Sequence, residues 1–591
     1  MKKLNIILAS LAVMGIMSSC EDNLNVQNPN NQTTSDFGFT SSDLNEAVIA
    51  CYNHIRMEGS SARVGYTLDV VRGDEAWNSS QIWYKPFADL NAPATDEIGC
   101  LWPWREWYYT INVCNYVVKQ VELANLSKQD YNEIKGQALF LRAFSYYYLI
   151  SYYQNVPLIT DYDSYSTLDG LYASNNTQDE VLDQMEKDLS EAMGILPSRE
   201  IGGEWAKGRA TSGAAAGYLA RTLMFRQKYS EALPVLKDII KGEYGSYDLV
   251  ADFGDNFRSG ASENNIESLF EIQYLDYGSQ GTDDEWTPVN TSSNATQGHA
   301  VESNFAPAIY GGWADISATP WLYNLFKAEK CTDGTLDPRL YWTLATYEAE
   351  YEDYNGKTTA AYPNGNDPRC NIAWMNKIPA EGIVTNSNNG GIVICKHTSA
   401  RENMYASVVT GLHCGVNLRV LRFSDILLRA AECENEVNGP TTQAFEWIDR
   451  VRQRSGLAKL DQSKFNSADK LFEQIANVER PKEFGCEHGR GIDLLRWGFF
   501  YSDERVKQMT EHNAYRKAGS LVTDIVTLDD VNSGGDFGSS TTNWRPGHEY
   551  FPIYQGTLNA NPNLVGNSAN TDTDNSAAFL AKYKVRPIPA D

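Results

Sequence analysis

The chain has 591 residues, with 76 acidic against 50 basic side chains and a formal net charge of −26. So acidic a surface repels polyanions, which argues against nucleic acid as a partner. Hydrophobic content of 42% is ample for a core, and the aromatic share of 12%, with 34 Tyr and 14 Trp, is high.

Lys2 and Lys3 precede a mainly apolar run over residues 4–17, then Ser18, Ser19 and Cys20. This order predicts a secretory signal peptide over residues 1–19, too short to span a bilayer. Met17, Ser18, Ser19 and Cys20 resemble a bacterial lipobox, with Met in place of the usual Leu. That resemblance implies lipidation of Cys20 and a membrane anchor. Glu21 and Asp22 resemble the acidic export signal of Bacteroidetes surface lipoproteins. Removal of Lys2 and Lys3 takes the net charge from −26 to −28. Residues 20–38 read as a lipidated, polar and flexible tether. Nine of the ten cysteines lie beyond Cys20, with no C-x-x-C spacing, so neither a disulfide framework nor a zinc ribbon is favoured.

Residues 39–250 read as a helical part. Thr40 and Asp43 form a capping pattern, and Leu44, Ala47, Val48, Cys51, Tyr52 and Ile55 follow as a 3.6-residue stripe. Residues 58–104 interleave Gly, Ser, Asn and Pro with Trp77, Trp83, Tyr84, Trp102 and Trp104, and no period survives, which predicts mostly loop. A second helix runs to about Leu123, with Cys114 on its apolar face. A third, capped by Ser127 and Asp130, runs to Tyr153. Thr177 and Glu180 cap the next helix, which stops before Pro197. An Ala-rich helix after Thr211 and its partner from Tyr229 to Gly242 then form a hairpin of the tetratricopeptide kind.

Residues 251–420 lose the helical period and read as a loop-rich insert with one strand near Ile266 to Ile272. Functional loops concentrate in such regions. Residues 421–591 read as a second helical part with a tail. Leu421 to Glu432 is predicted helical, and Arg450, Arg452 and Arg454 suit a helix C-terminus before Gly456. In residues 479–497, Arg480, Glu483, Glu487, Arg490, Asp493 and Arg496 recur at helical spacing. Local pairs Arg480–Glu483, Glu487–Arg490 and Asp493–Arg496 are expected. Gly485, Gly489 and Gly491 would each cost roughly 1 kcal/mol in one continuous helix. A helix ending near His488 and a second short one carrying Asp493 to Trp497 are therefore predicted. On the charges alone, a solvated face fits equally.

This segment resembles the C-terminal signature of the SusD/RagB family of surface nutrient-binding lipoproteins, matching at Arg480, Glu483, Phe484, Glu487, Arg490, Asp493, Leu494, Arg496 and Trp497. The family's usual Gly after the second Glu is His488 here. Further resemblances follow in chain order at Gly136 to Ala143, Gly208 to Thr211, Asp337 to Arg339, Leu421 to Glu432, and Phe551 to Leu564. They imply a mostly α, SusD-like fold with divergent tetratricopeptide-type hairpins, in which residues 479–497 are scaffold.

The resemblance also implies a cell-surface glycan-binding protein at the outer membrane, delivering its ligand to a SusC-like TonB-dependent β-barrel. Flat aromatic rings suit the apolar C–H face of a pyranose. The candidate ligand residues are Asp74, Trp77, Trp83 and Tyr84 from one loop, and Trp286, Tyr310 and Trp313 from the insert. These are transferred as regions of the family's ligand face, not as aligned residues. Alternatives are a RagB-like peptide binder and an acidic, Trp-rich α/α-toroid glycosidase. No dinucleotide, P-loop, zincin or nucleophile-elbow motif occurs. Asp572, Asp574 and Asn575 start like a calcium loop but lack its Gly and distant Glu. With 76 acidic residues, two carboxylates at glycosidase separation arise by chance. No catalytic residue, metal or cofactor is expected.

Overall fold

The computed structural model describes residues 40–590, apart from 79–81, 201–204, 206, 276–297, 307–311, 346–391, 404–413, 517–525 and 536. Cys20, with the expected signal peptide and tether, lies outside the described residues, as do Trp286 and Tyr310.

Helix α1 (Ser41–His54) begins as its sequence dictates. Thr40 and Asp43 cap each other reciprocally, a device worth about 1 kcal/mol. Residues 58–104 correct the expectation of loop. A π-helical turn (Glu58–Ala62) leads into α2 (Val64–Val71), and α3 (Glu97–Leu123) starts before Trp102 and Trp104 and takes both into the core. Every residue of α2 is buried, so no polar face remains to reveal a helical period. In α3, Pro103 and three Trp conceal the period in the first turns.

Helices α4 (Lys128–Tyr153), α5 (Gln178–Ile195), α6 (Ser212–Phe225) and α7 (Tyr229–Lys241) follow with the expected caps at Ser127, Thr177 and Gly242. Each packs on the one before it, α1 and α4 flank α3, and α6 with α7 forms the expected hairpin. α7 then packs on α8 (Phe423–Asn438), and α8 on α9 (Thr442–Arg454). The first two residues of the expected helix from Leu421 instead belong to a strand.

Sheet is sparse among the described residues: four antiparallel two-stranded pairs. β1 (Ala76–Trp77) pairs with β3 (Ser317–Ala318), β2 (Ser268–Ile272) with β6 (Leu418–Arg422), β4 (Leu344–Ala345) with β5 (Val393–Ile394), and β7 (Ala514–Arg516) with β8 (Phe537–Ser539). The β2–β6 pair ties the start of the irregular region to the strand that enters α8. At the C-terminus, a last short helix (Ser576–Lys582) lies back on the helices. Lys582 pairs with Asp179 at 2.5 Å, and Arg586 pairs with Glu436 at 2.6 Å.

The charged segment is not a solvated face. It forms a short helix α10 (Arg480–Phe484), ending four residues before His488, and α11 (Arg490–Arg496). Gly489 between them sits at φ +123°, where an L side chain is strained. Of the three local pairs expected, only Asp493–Arg496 forms, at 2.7 Å. The other charges reach across the fold. Glu483 accepts from Arg454 (2.5 Å), Arg422 (3.0 Å) and Arg339 (3.2 Å). Glu487 takes Arg422 and Lys396, both at 2.8 Å. Arg480 bridges Asp425 (2.8 Å) and Asp493 (2.6 Å). None of these side chains is more than 6% exposed. Isolated buried ions are too costly to persist, so each must find a partner, near or far in sequence.

Burial alone would raise the Glu483, Asp425 and Asp493 carboxyls, but the guanidiniums around them hold all three well below the usual carboxylate range. Their stability is in place above about pH 4, the unfolded value, and is lost as pH falls through the depressed folded values. Asp69 and Glu75 act the other way. Burial pushes Asp69 up to about 7 and Glu75 up to about 8. The fold keeps those protons while the unfolded chain sheds them near pH 4, so stability falls as pH rises across that window. Urea unfolding should therefore give a lower stability at about pH 8 than at about pH 5.5, and Asp69→Asn should flatten the decline. An Asp69→Asn protein with an unchanged pH slope would mean that this carboxyl titrates normally.

Candidate functional site

Two loops carry the candidate aromatics, and one short segment holds them together. After the π-helical turn, Arg63 pairs with Glu58 inside that turn, and its guanidinium lies 5.8 Å from the ring centres of both Trp102 and Trp313. The turn packs directly on α3. A Cβ on Gly59 would stand 2.5 Å from the Trp102 backbone, so only glycine fits there. The backbone N–H of Ser60 donates to Glu106 at 2.8 Å.

The segment at residues 298–306 docks against this turn and α2. Ala300 N–H donates to Ala62 O at 2.8 Å, and Asn304 Nδ2 donates to Thr67 Oγ1 at 2.6 Å and to the Tyr84 hydroxyl at 3.4 Å. Trp313 N–H donates to Ser303 O at 2.6 Å. Tyr84 and Trp313 are thus tied to adjacent residues, Asn304 and Ser303. Asn78 Nδ2 donates to Asp315 O at 2.6 Å, joining the two loops a second time. Ala314 sits at φ +55°. Left-handed backbone on a non-glycine residue costs on the order of 1 kcal/mol or more, and such strain clusters at ligand sites. π-helical turns share that tendency.

The seven candidates separate on accessibility. Asp74 is 1% exposed, and both its oxygens are taken, by Arg490 at 2.7 and 2.9 Å and by His512 at 2.7 Å. Burial alone would raise the Asp74 carboxyl, but Arg490 and His512 hold it well below the usual range. Trp77 is 2% exposed and stacks on Tyr515 at 3.9 Å, with the rings 5° from parallel. Tyr84 is also buried, with its hydroxyl on Asn304. The expectation that these three present themselves to a ligand is corrected: each is spent on the interior. Trp83 and Trp313 are half-buried and keep part of their indoles at the surface. Trp286 and Tyr310 lie outside the described residues.

Sequence reasoning missed Arg63, Asn78 and Asp315. None stands in a motif, and only the close approach of the two loops reveals them. Two half-exposed indoles beside polar groups can cover an apolar ring face and hydrogen-bond its rim. Among the described residues, no group of three or more His, Cys, Asp or Glu is placed to hold a metal ion.

Residues 266–569 match the family model described as the SusD family, and residues 22–224 match one described as starch-binding and associating with the outer membrane. The chain therefore belongs to the SusD family. A SusD-like protein, P25, of Formosa agariphila is 23% identical over 541 residues, covering 90% of this chain and 92% of that one. A SusD-like protein of Bacteroides ovatus is 22% identical over 584 residues, covering 95% and 93%. Among solved structures, a SusD superfamily protein of Bacteroides vulgatus superposes with a TM-score of 0.66 at 22% identity, over 90% of this chain and all of that one. Surface glycan-binding protein A of Bacteroides thetaiotaomicron, in complex with laminarihexaose, superposes with a TM-score of 0.63 at 22% identity, over 89% and 99%. The shared fold is the mostly helical SusD-like one that the sequence implies.

The burial of Asp74 makes a measurable claim. A double-mutant cycle of Asp74→Ala and Arg490→Ala, read by urea unfolding, should show a coupling of about 1–3 kcal/mol. Coupling near zero would release Asp74 from its structural assignment.

Proposed function

We propose that this protein is a non-enzymatic, cell-surface glycan-binding lipoprotein that captures an oligo- or polysaccharide and hands it to a SusC-like TonB-dependent β-barrel. The observation that carries the reading is the pair of half-exposed indoles, Trp83 and Trp313, on two loops joined at residues 303–304. A pyranose offers a flat C–H face that an indole covers, and its hydroxyls take hydrogen bonds from polar groups beside the ring. The sugar-bound relative supports the ligand class. The family description supports the outer-membrane location, and the lipobox-like Met17 to Cys20 supports an anchor there. No described helix is long and apolar enough to cross a membrane, so uptake by this route assigns the crossing to a partner. Barrel binding would close the protein over its ligand, with the tether at residues 20–38 as slack for opening.

Trp83→Ala with Trp313→Ala should abolish retention in polysaccharide affinity gels. Arg490→Ala, in whatever fraction still folds, should leave retention intact. Glycan and peptide arrays decide the ligand class: binding to peptides alone would replace this reading with the RagB-like one. Reducing ends released from a bound polysaccharide would replace it with the hydrolase.

Address and partner are tested together. Cys20→Ala should move the protein out of the membrane fraction. The wild-type lipoprotein, extracted from its native membrane in mild detergent, should co-purify with a large β-barrel. A lone monomer in that preparation would count against delivery to a transporter.

A further inference from the structure

A cavity of about 20 Å³ lies within the buried ion-pair network. That is room for one water-sized occupant. Its wall is unbalanced in charge. Five guanidiniums line it, those of Arg221, Arg419, Arg422, Arg429 and Arg480, against only two carboxylates, Asp425 and Glu487.

Tracing each ion to its partners shows where the imbalance sits. Arg419 is matched by Glu271. Arg422 belongs with Arg339, Arg454 and Lys396 to a group that shares four carboxylates, Asp337, Glu267, Glu483 and Glu487. Four cations meet four anions there. On the other side, Arg221, Arg429, Arg480 and Arg496 share Asp425, Asp493 and Glu432. Here four cations meet three anions.

The surplus also has an atom. Arg429 is 4% exposed, and its Nη1 has no hydrogen-bond partner among the described residues. Asp69 is a further carboxyl nearby, 3.4 Å from His488 on the cavity wall. Burial pushes Asp69 up to about 7, and Arg72 acts on its charge more strongly than Arg221 does. It is therefore a poor counter-ion for the surplus below neutral pH.

We propose that this cavity is a halide site, in which one chloride ion accepts from Arg429 Nη1 and supplies the missing negative charge. A water would satisfy the N–H but leave the buried charge uncompensated, which is the costly part. Phosphate, sulfate and carboxylate ligands exceed the space. Chloride is larger than water but, as a single atom, is much smaller than any of these. The site is separate from the aromatic loops and independent of the glycan reading.

Crystals grown in sodium bromide, with data collected at the bromine edge, test this directly. The expected result is an anomalous peak in the cavity, within hydrogen-bond distance of Arg429 Nη1. In solution, melting curves at about pH 6, where Asp69 keeps its proton, should compare chloride or bromide with gluconate at equal ionic strength. The melting temperature should rise with the logarithm of halide concentration and not with gluconate. Arg429→Gln should lose that dependence; if it does not fold, Arg429→Lys keeps the charge and tests the geometry. Bromide crystals with no anomalous signal in the cavity, or melting curves identical in gluconate and chloride, would overturn the proposal.

Discussion

Glu483 is the point on which this fold turns. Its carboxylate takes guanidiniums from three other parts of the chain: Arg339 from the irregular region, Arg422 from the end of β6, and Arg454 from the end of α9. Removing one member of such a buried set leaves its partners uncompensated, at a cost of about 3–5 kcal/mol. Replacing a whole set with apolar groups is often neutral, so the network is better understood as specifying one arrangement than as adding stability. The pairing has direct geometric consequences here. Helices α10 and α11 are only 5 and 7 residues long, with Gly485 and Gly489 between them, and propensity alone does not fix how they sit. Directional, charge-assisted bonds do fix it.

What the sequence made legible divides along range of interaction. Local devices were readable: the caps at Thr40, Ser127 and Thr177 and the stop at Gly242 all lie within a few residues of the helix ends they serve. Helix α2 was not, because burial on every side erases the alternation from which periodicity is read. The ion pairs of residues 480–496 were readable as residues but not as partners. Spacing of three and four predicts neighbours on a helix surface, and once the segment is buried that rule yields to whichever countercharge the fold delivers. Asp74 is the clearest case. A carboxylate in a Trp-rich loop has the look of a ligand group, but its partner Arg490 is 416 residues away. Trp77 was misjudged for the same reason, since Tyr515 is as distant in the chain.

Irregular backbone at the aromatic loops is compatible with a precise site only if something rigid holds it. Here the segment at residues 298–306 is pinned on one side to the π-helical turn and on the other to α2. The wall beneath is α3, with Trp102 and Trp104 inside the core. A loop held at its root by buried side chains can vary at its tip without disturbing the helices. Positive φ at Ala314, which the chain would avoid if free, persists because its neighbours on both sides are hydrogen-bonded in place.

The scaffold and the aromatic face are mechanically continuous. Arg490, in the charged signature, clamps Asp74. Two residues on, β1 begins, and its register places Trp77 opposite Ser317 of β3. Trp83 follows Trp77 by six residues on one strand's outgoing chain, and Trp313 precedes Ser317 by four on the other's incoming chain. Both half-buried indoles therefore flank the same two-residue clasp, and that clasp is joined to the charged signature through Asp74. The spacing between the two rings is set nearer to hand, where Tyr84, next to Trp83, and Trp313 bond the adjacent residues Asn304 and Ser303. A stacked sugar is sensitive to that spacing, since dispersion and C–H contacts weaken within an ångström of their best distance. Arg490 stands behind that junction as scaffold, and a chain that still folds without it keeps the Asn304 and Ser303 bonds that hold the rings.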